Sequence, residues 1–244
     1  MGDAEKADPD LIPDYSMTEP REGHSVVYGH HVANAHYELV VDNLMDRTHV
    51  QIMHPAISIG TDHAPDFKRQ HSMEQVGDTV WDYHEELNSK MFPLAQKAFW
   101  PDAPEKVHNW FDCRWDAPGN MLLDAGISEM DSDRKVGVNL PGANMITPVD
   151  EKSSHYFWNI SRDKNINNPE IDEKVKAGVG DTFRDEDGAM VAMCQDLMDG
   201  EMDLMALNPI LLPTDGAAIR ARRILKEKIA AEQAEMAKQL ESVA

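Results

Sequence analysis

Apolar and polar residues alternate in short runs through the middle of the chain, which is the period of half-buried β-strands. Residues 70–76 and 79–86 flank Gly77-Asp78, a dipeptide typical of a two-residue hairpin with a primed turn. The other predicted strands cover residues 25–32, 107–115, 120–128, 135–147 and 153–161. Because no long helix separates the strands of the middle region, we expect an antiparallel sheet. Residues 88–101 are predicted as a loop or a short helix.

Helical spacing of apolar residues replaces this alternation on the N-terminal side. We predict a helix over residues 43–54, which ends just before Pro55. Residues 1–24 are acidic, contain three prolines and show neither period. The sequence therefore predicts an irregular acidic arm over residues 1–24, followed by one domain over residues 25–244.

Two further helices are predicted towards the C-terminus. Residues 169–198 have apolar positions four apart, and three glycines break or kink this helix because each costs about 1 kcal/mol relative to Ala. The last helix covers residues 217–240, with a predicted buried side of Ile219, Leu225, Ile229, Met236 and Leu240. Its basic residues are interpreted as a solvated face or a docking surface: Arg220, Arg222, Arg223, Lys226 and Lys228. Strands in the middle and helices near the ends indicate the α+β class.

The net negative charge of the chain limits the classes of partner that we expect. The 244 residues contain 23 Lys and Arg against 44 Asp and Glu, which gives a net charge of −21. Such a surface repels phosphate backbones and anionic lipids, so neither nucleic acid nor a membrane is expected as a partner. The N-terminus lacks the basic and apolar regions of a signal peptide. Since the only cysteines are Cys113 and Cys194, both expected as buried thiols, we predict a cytoplasmic protein.

The predicted helix over residues 43–54 carries the strongest chemical signal. Asp46 precedes His49 by three residues, and His54 follows His49 by five. A step of five turns a regular helix by ~500°, so the two histidines reach one ion only if the helix bends or ends there. Two histidines and a carboxylate are the ligands of non-haem Fe(II) oxygenases, in which case a distant carboxylate completes the set. The alternative is an ordinary histidine pair in a chain with eleven histidines.

The run YELVVDNLMDRTHVQIMH resembles the iron-site helix of Rieske non-haem iron oxygenases, and it looks most like the vanillate and dicamba O-demethylase branch. Further runs resemble that family in the same order: PDLIPDY, ITPVDEKSSHYFWNISRD, NNPEIDEKV, FRDEDGAMVAMCQ and GAAIRARRILKEKIAAE. The resemblance covers residues 8–240. It implies a helix-grip (START-like) fold, in which an antiparallel sheet wraps around C-terminal helices and iron lies between sheet and helix.

The resemblance also implies roles for single residues. His49 and His54 match the two histidine ligands of a mononuclear Fe(II), and Asp187 matches the carboxylate ligand. Asp185 and Glu186 stay alternatives to Asp187, because one sequence does not fix the register of this acidic run.

Other positions match residues around the iron. Asp46 matches the acidic residue that relays electrons from the Rieske centre of a neighbouring subunit, which implies a homotrimer, and Asn43 matches a polar residue beside the metal. Substrate-binding positions are expected around Leu123, Asn144 and Gly178, where no fixed charge is expected. His155 is a candidate substrate contact or a packed strand histidine.

This sequence lacks the residue pairs that bind the iron–sulfur cluster of such an enzyme. A Rieske [2Fe–2S] cluster needs C-x-H and C-x-x-H pairs, and neither cysteine is followed by such a histidine. We therefore expect no cluster in this chain, and electrons from a Rieske domain or ferredoxin in trans, supplied by NAD(P)H through a reductase. Met1 falls where a Rieske domain would end, which favours a fragment over a natural Rieske-less subunit.

The sequence thus predicts an oxidoreductase, the catalytic domain of a Rieske-type monooxygenase that uses O2 at Fe(II) on a small aromatic substrate. The expected reaction is O-demethylation of a methoxy-aromatic acid similar to vanillate. Ring hydroxylation or N-demethylation at the same iron is an alternative. The alternative from another class is a non-catalytic helix-grip protein that binds a small apolar ligand.

Overall fold

The computed structural model of the chain describes residues 5, 7–54 and 64–243. The strands are β1 (Ser25–Ala33), β2 (Lys68–Val76), β3 (Thr79–Ser89), β4 (Val107–Asp116), β5 (Asn120–Glu129), β6 (Val138–Asn139), β7 (Gly142–Asp150) and β8 (Ser153–Arg162). The helices are α1 (Tyr37–Met45), α2 (Val50–Met53), α3 (Pro93–Phe99), α4 (Pro169–Asp181), α5 (Gly188–Leu197) and α6 (Gly216–Val243). The described strands form an antiparallel sheet in the order β1-β8-β7-β5-β4-β3-β2, with β6 paired to β5.

The predicted hairpin and most predicted strands are confirmed. Gly77 has a φ of 60°, as the first central residue of a primed two-residue turn requires, and Val76 pairs with Thr79. The single strand predicted over residues 135–147 is wrong, because β6 and β7 are separate strands there. Pro141 lies between them, and a proline has no N–H to donate to a sheet ladder.

The main core lies between one face of the sheet and the helices. Tyr156 and Trp158 of β8 belong to the same buried cluster as Val40 of α1 and Leu225 of α6. Phe183 joins them, with its ring centroid 5.0 Å from that of Tyr156. Burial of each such side chain contributes about 1.5–3 kcal/mol, so this cluster fixes α1 and the late helices on the sheet.

The first helix differs from the prediction over residues 43–54. α1 begins earlier, at Tyr37, and ends at Met45, and within residues 46–54 only the single turn α2 is helical. α2 ends at Met53, as expected for a chain that reaches Pro55, but Pro55 itself lies outside the described residues.

The late helices agree with the prediction in part. The expected break within residues 169–198 is a π-helical turn at Thr182–Asp187, between α4 and α5. The predicted buried side of α6 is wrong beyond its first turns, since Met236 and Leu240 are 56% and 73% exposed. Within residues 216–241, the buried residues of α6 all fall between Ala217 and Leu225, because the helix continues past the elements it packs on.

The described residues of the N-terminal arm contain short 3-10 turns, and Arg114 of β4 donates a hydrogen bond to the carbonyl of Asp14 at 2.8 Å. The boundary at residue 25 stays a prediction. Cys113 is buried as expected, whereas Cys194 is exposed, which corrects the expectation of two buried thiols. Among the helices of the described ranges, none combines the length and apolar character needed to cross a membrane.

Candidate metal centre and substrate cavity

Three side chains that could hold a metal ion meet between α1, α2 and the π-helical turn. The Nε2 atoms of His49 and His54 lie 3.3 and 3.1 Å from the same oxygen, Oδ1 of Asp187. Ligating atoms of the three residues all lie within 4.8 Å of one another. His54 and Asp187 are buried, and His49 is nearly so. The structure therefore brings together the three residues that the sequence nominated as ligands.

The end of α1 solves the geometric problem of two histidines five residues apart. Asp46 leaves the helical conformation, and its Oδ1 accepts hydrogen bonds from the Thr48 backbone N–H at 2.7 Å and the Thr48 hydroxyl at 2.6 Å. Such a local side-chain turn competes with helix. His49 and His54 consequently flank the two ends of α2, from which both imidazoles reach Asp187.

The π-helical turn places the three acidic residues of the run in different surroundings. The backbone N–H of Gly188 donates to the carbonyl of Phe183, five residues back, which marks the wider turn. Asp187 points into the centre, whereas Glu186 Oε2 lies 2.6 Å from the outer nitrogen of His54, Nδ1. Asp185 is exposed and pairs with Arg184.

Polar groups also surround the three residues. Asn43 Nδ2 donates to Asp187 Oδ1 at 3.1 Å and lies 3.5 Å from His49 Nε2. Asp46 Oδ2 lies 3.4 Å from the outer nitrogen of His49, Nδ1, which is buried and has no well-aligned hydrogen-bond partner. Each candidate ligand histidine thus has a carboxylate behind its ring, which is the usual arrangement around metal-bound imidazoles.

The electrostatics of the centre favour a bound cation. Burial lowers the pKa of His49, but its contacts with Asp187 and Asp46 outweigh burial and raise that pKa to about 9. Burial raises the pKa of Asp187, but hydrogen bonds from both histidines outweigh it and hold that pKa far below the usual range. The carboxylates therefore stabilise positive charge, carried by a proton or by a metal ion. Two imidazoles and one carboxylate with open positions fit Fe(II).

An apolar cavity of about 200 Å³ opens directly onto this centre. Leu123, Asn144 and Gly178, the predicted substrate-binding positions, all line it, together with His49, His54 and Asp187. Asn144 Oδ1 accepts a hydrogen bond from the Tyr156 hydroxyl at 2.9 Å. A Cβ added to Gly178 would meet no atom within 4 Å, so the cavity is open at this helix.

His155 does not belong to this cavity, which corrects its candidacy as a substrate contact. It lies between the inward-facing Ser154 and Tyr156 of β8 and therefore points to the opposite face of the sheet. There His155 Nδ1 lies 3.0 Å from His30 Nε2, and His30 stacks on Phe157 at 4.4 Å.

Arg47 is a cavity residue that was not predicted from the sequence. It follows Asp46, lines the cavity, and holds its guanidinium carbon 4.0 Å from the centroid of the Phe111 ring. No carboxylate of the described residues lies within ion-pair distance of Arg47. The lining therefore contains a half-buried cation, which corrects the expectation of a pocket without fixed charge; Lys174 lines it as well, from an exposed position.

Comparison with known proteins identifies the family. Residues 33–231 match the family described as the vanillate O-demethylase oxygenase C-terminal domain, which is most of the chain. This chain belongs to that family and is a catalytic C-terminal domain of the Rieske oxygenase type.

Individual relatives agree with this assignment. The oxygenase component of chloroacetanilide N-alkylformylase from Rhizorhabdus wittichii is 30% identical over 239 residues, covering 95% of this chain and 66% of that protein. The oxygenase component of dicamba O-demethylase from Stenotrophomonas maltophilia is 30% identical over 227 residues, covering 93% and 65%. This chain spans about two thirds of the length of these relatives.

A solved structure shows the same fold. Dicamba monooxygenase bound to 3,6-dichlorosalicylic acid superimposes with a TM-score of 0.84 at 27% identity, over 96% of this chain and 67% of that one. The expected α+β fold, an antiparallel sheet wrapped around C-terminal helices, is confirmed.

Proposed function

We propose that this chain is the catalytic domain of a Rieske-type monooxygenase in which His49, His54 and Asp187 hold one mononuclear Fe(II). The observation that carries the proposal is the convergence of these side chains on the wall of an apolar cavity. Iron held there would supply the activation of O2, because two imidazoles and one carboxylate leave coordination positions open. Glu186 and Asp46, behind the two imidazoles, would orient them.

The proposed substrate is a small methoxy-aromatic acid. Apolar side chains such as Leu123, Ile160 and Phe183 would hold the ring. Arg47 would pair with the carboxylate, since no carboxylate of the described residues lies within ion-pair distance of this guanidinium, although Asp46, Asp82 and Glu86 lie near enough to interact with it electrostatically. One oxygen atom of O2 would be inserted into a methyl C–H bond, and the other would be reduced to water by two external electrons and two protons. The resulting hemiacetal would lose formaldehyde and leave a phenol.

N-dealkylation is the second candidate reaction. The relative that acts as a chloroacetanilide N-alkylformylase and the largely apolar lining of the cavity both support it. Ring hydroxylation uses the same iron and differs only in which C–H bond of the substrate faces it. Iron content separates all three reactions from a non-catalytic ligand-binding role.

Electrons would come from outside the chain. Asp46 is 36% exposed while its other side contacts His49, so it would connect the surface to the iron centre. We propose a Rieske domain or ferredoxin as the donor, fed by NAD(P)H through a reductase, and a homotrimer in which neighbouring subunits supply the donor surface.

The test compares Asp46→Asn with His49→Ala in iron content and in formaldehyde release from methoxy-aromatic acids, with a Rieske partner supplied in trans. His49→Ala should lose both iron and turnover, because it removes a ligand. Asp46→Asn should keep most of the iron and lose turnover at least tenfold. Thr48→Val is the matched control, since it removes the hydroxyl donor to Asp46 and leaves the carboxylate.

Two results would contradict the proposal. Full iron occupancy in the His49→Ala/His54→Ala double variant would remove the ligand assignment. Turnover of Asp46→Asn within about twofold of the parent would leave the metal centre standing and reject the electron relay.

A further inference from the structure

A second group of two histidines and one carboxylate lies on the hairpin of β2 and β3, apart from the candidate metal centre. Asp82 Oδ1 is 2.6 Å from His71 Nε2, and Asp82 Oδ2 is 2.8 Å from His84 Nε2. The two imidazoles stack with centroids 4.5 Å apart. Ligating atoms of the three residues all lie within 4.8 Å of one another, as do those of the first centre.

The register of the hairpin explains why these side chains converge. His71 and His84 are directly opposite partners in the antiparallel ladder, so their side chains leave the same face of the sheet. Asp82 comes two residues before His84 and shares that face. Two strands thus bring three ligand-type side chains together with no special loop conformation.

The charge of Asp82 favours a cation at this position. Asp82 is fully buried, with 0% exposure, and a buried carboxylate needs a partner of opposite charge. Over the described ranges its ion-pair contacts are the two imidazoles, and no Lys or Arg is among them. Arg47 interacts with Asp82 only from beyond ion-pair distance, so a metal ion shared by all three residues would place positive charge directly at the Asp82 oxygens.

Solvent reaches this position. His71 and His84 line a second cavity of about 90 Å³, whose wall also contains Arg47 and Phe111 of the substrate cavity. The His71 side chain keeps 23% exposure. An ion can enter without unfolding of the hairpin.

We propose that His71, Asp82 and His84 form a second metal site, which takes a divalent first-row transition ion such as Zn(II) and ties the edge strand β2 to β3. Imidazole nitrogens and a carboxylate oxygen are ordinary ligands of these ions. On binding, the proton of each neutral imidazole moves from Nε2 to Nδ1 by exchange with solvent, so that the ring stays neutral and the Nε2 lone pair binds the metal. The N–O separations then widen slightly to admit ligand distances of ~2.0–2.2 Å.

The edge strand explains what such a site would do. All nine residues of β2 are exposed, so ladder hydrogen bonds and cross-strand pairs hold it on the sheet with little apolar burial. A shared metal ion binds the folded hairpin and not the separated strands. It therefore stabilises the attachment of β2 by mass action.

Zinc stoichiometry of the whole chain tests the proposal, by equilibrium dialysis and metal analysis. The parent should bind two equivalents, the His49→Ala/His54→Ala variant one, and the same variant with His71→Gln none. His30→Ala is the matched control, because His30 and His155 also lie 3.0 Å apart but have no carboxylate between them. Added to the double variant, it should leave one equivalent.

A double variant that binds no zinc would overturn the proposal, as would zinc that survives His71→Gln. If the first centre does not bind zinc but the second does, the parent and the double variant would both bind one equivalent. His71→Cys protects the test against loss of folding, because it replaces one ligand by another on an exposed strand. Folded His71→Cys should show a sulfur-to-cobalt charge-transfer band with Co(II), and absence of that band also overturns the site.

Discussion

At the residue scale, the two candidate ligand histidines differ in what holds the nitrogen that faces away from Asp187. His54 Nδ1 lies 2.6 Å from Glu186 Oε2, whereas His49 Nδ1 lies 3.4 Å from Asp46 Oδ2. A carboxylate behind a metal-bound imidazole fixes its tautomer and raises its basicity. The shorter contact gives Glu186 the stronger interaction with its histidine, and among the described residues His54 is the candidate ligand that Glu186 contacts.

Glu186→Gln should therefore weaken iron binding by about 10–100-fold, because the amide cannot supply the charge that polarises His54. The measurement is iron retained against a competing chelator. Asp185→Asn is the matched control, since Asp185 is exposed and pairs with Arg184. Equal iron affinity of Glu186→Gln and Asp185→Asn would contradict this role of Glu186.

Some residues of the candidate metal centre could be predicted from the sequence alone, and others could not. His49 and His54 could be selected from their spacing, because both lie on one short segment. Asp187 came only from the family resemblance, since the π-helical turn that separates its role from that of Glu186 depends on packing. The position of Arg47 in the cavity could not be predicted, because an arginine among polar residues is typical of the protein surface.

At the element scale, α1 is tied to α6 by one buried arginine. Arg222 donates to both carboxylate oxygens of Asp42 at 2.6–3.0 Å and to Glu38 at 2.5 Å. Its side chain is only 9% exposed. The predicted solvated face of basic residues on α6 therefore does not include Arg222, which is turned towards α1.

Arg222→Ala should destabilise the fold by about 3–5 kcal/mol, because it leaves two half-buried carboxylates unpaired. Thermal or urea unfolding measures this loss. Arg223→Ala, the exposed neighbour, should change stability by less than about 0.5 kcal/mol. A small effect of Arg222→Ala would mean that apolar packing alone holds α6 on α1.

The two errors in helix prediction have different physical causes. The apolar period over residues 43–54 contains no information on the hydrogen bonds from Thr48 to Asp46. These bonds end α1 at Met45, before the predicted end at residue 54. The period over residues 217–240 described an amphipathic helix correctly but could not show that α6 continues beyond its packing partners. Strands were predicted better, because alternation and turn residues are local and the sheet buries one face along most of its length.

At the scale of the whole molecule, negative charge dominates, with a net charge of −21. Most carboxylates are already ionised above pH 6, so this repulsion changes little as the pH rises further. Groups that bind a proton more tightly in the folded state do change in that range. In the metal-free centre, His49 is such a group, since its pKa is raised to about 9.

The stability of the metal-free protein should therefore fall as the pH rises from about 6.5 to about 9. Protonated His49 contributes stability that is fully present below its unfolded pKa and is lost as the pH passes the folded value. Asp46 affects stability at low pH instead. Burial raises its pKa, but contacts with His49 and Thr48 outweigh burial and lower that pKa to about 2, so its contribution to stability is lost only in acid. A bound metal ion replaces the proton of His49, and the metal-loaded protein should lose less stability up to pH 9.

Unfolding midpoints at pH 6, 7.5 and 9, with chelator and with saturating Fe(II) under anaerobic conditions, measure the difference. His49→Ala with chelator should show a flatter profile, and an unchanged alkaline loss in that variant would assign the effect to another group.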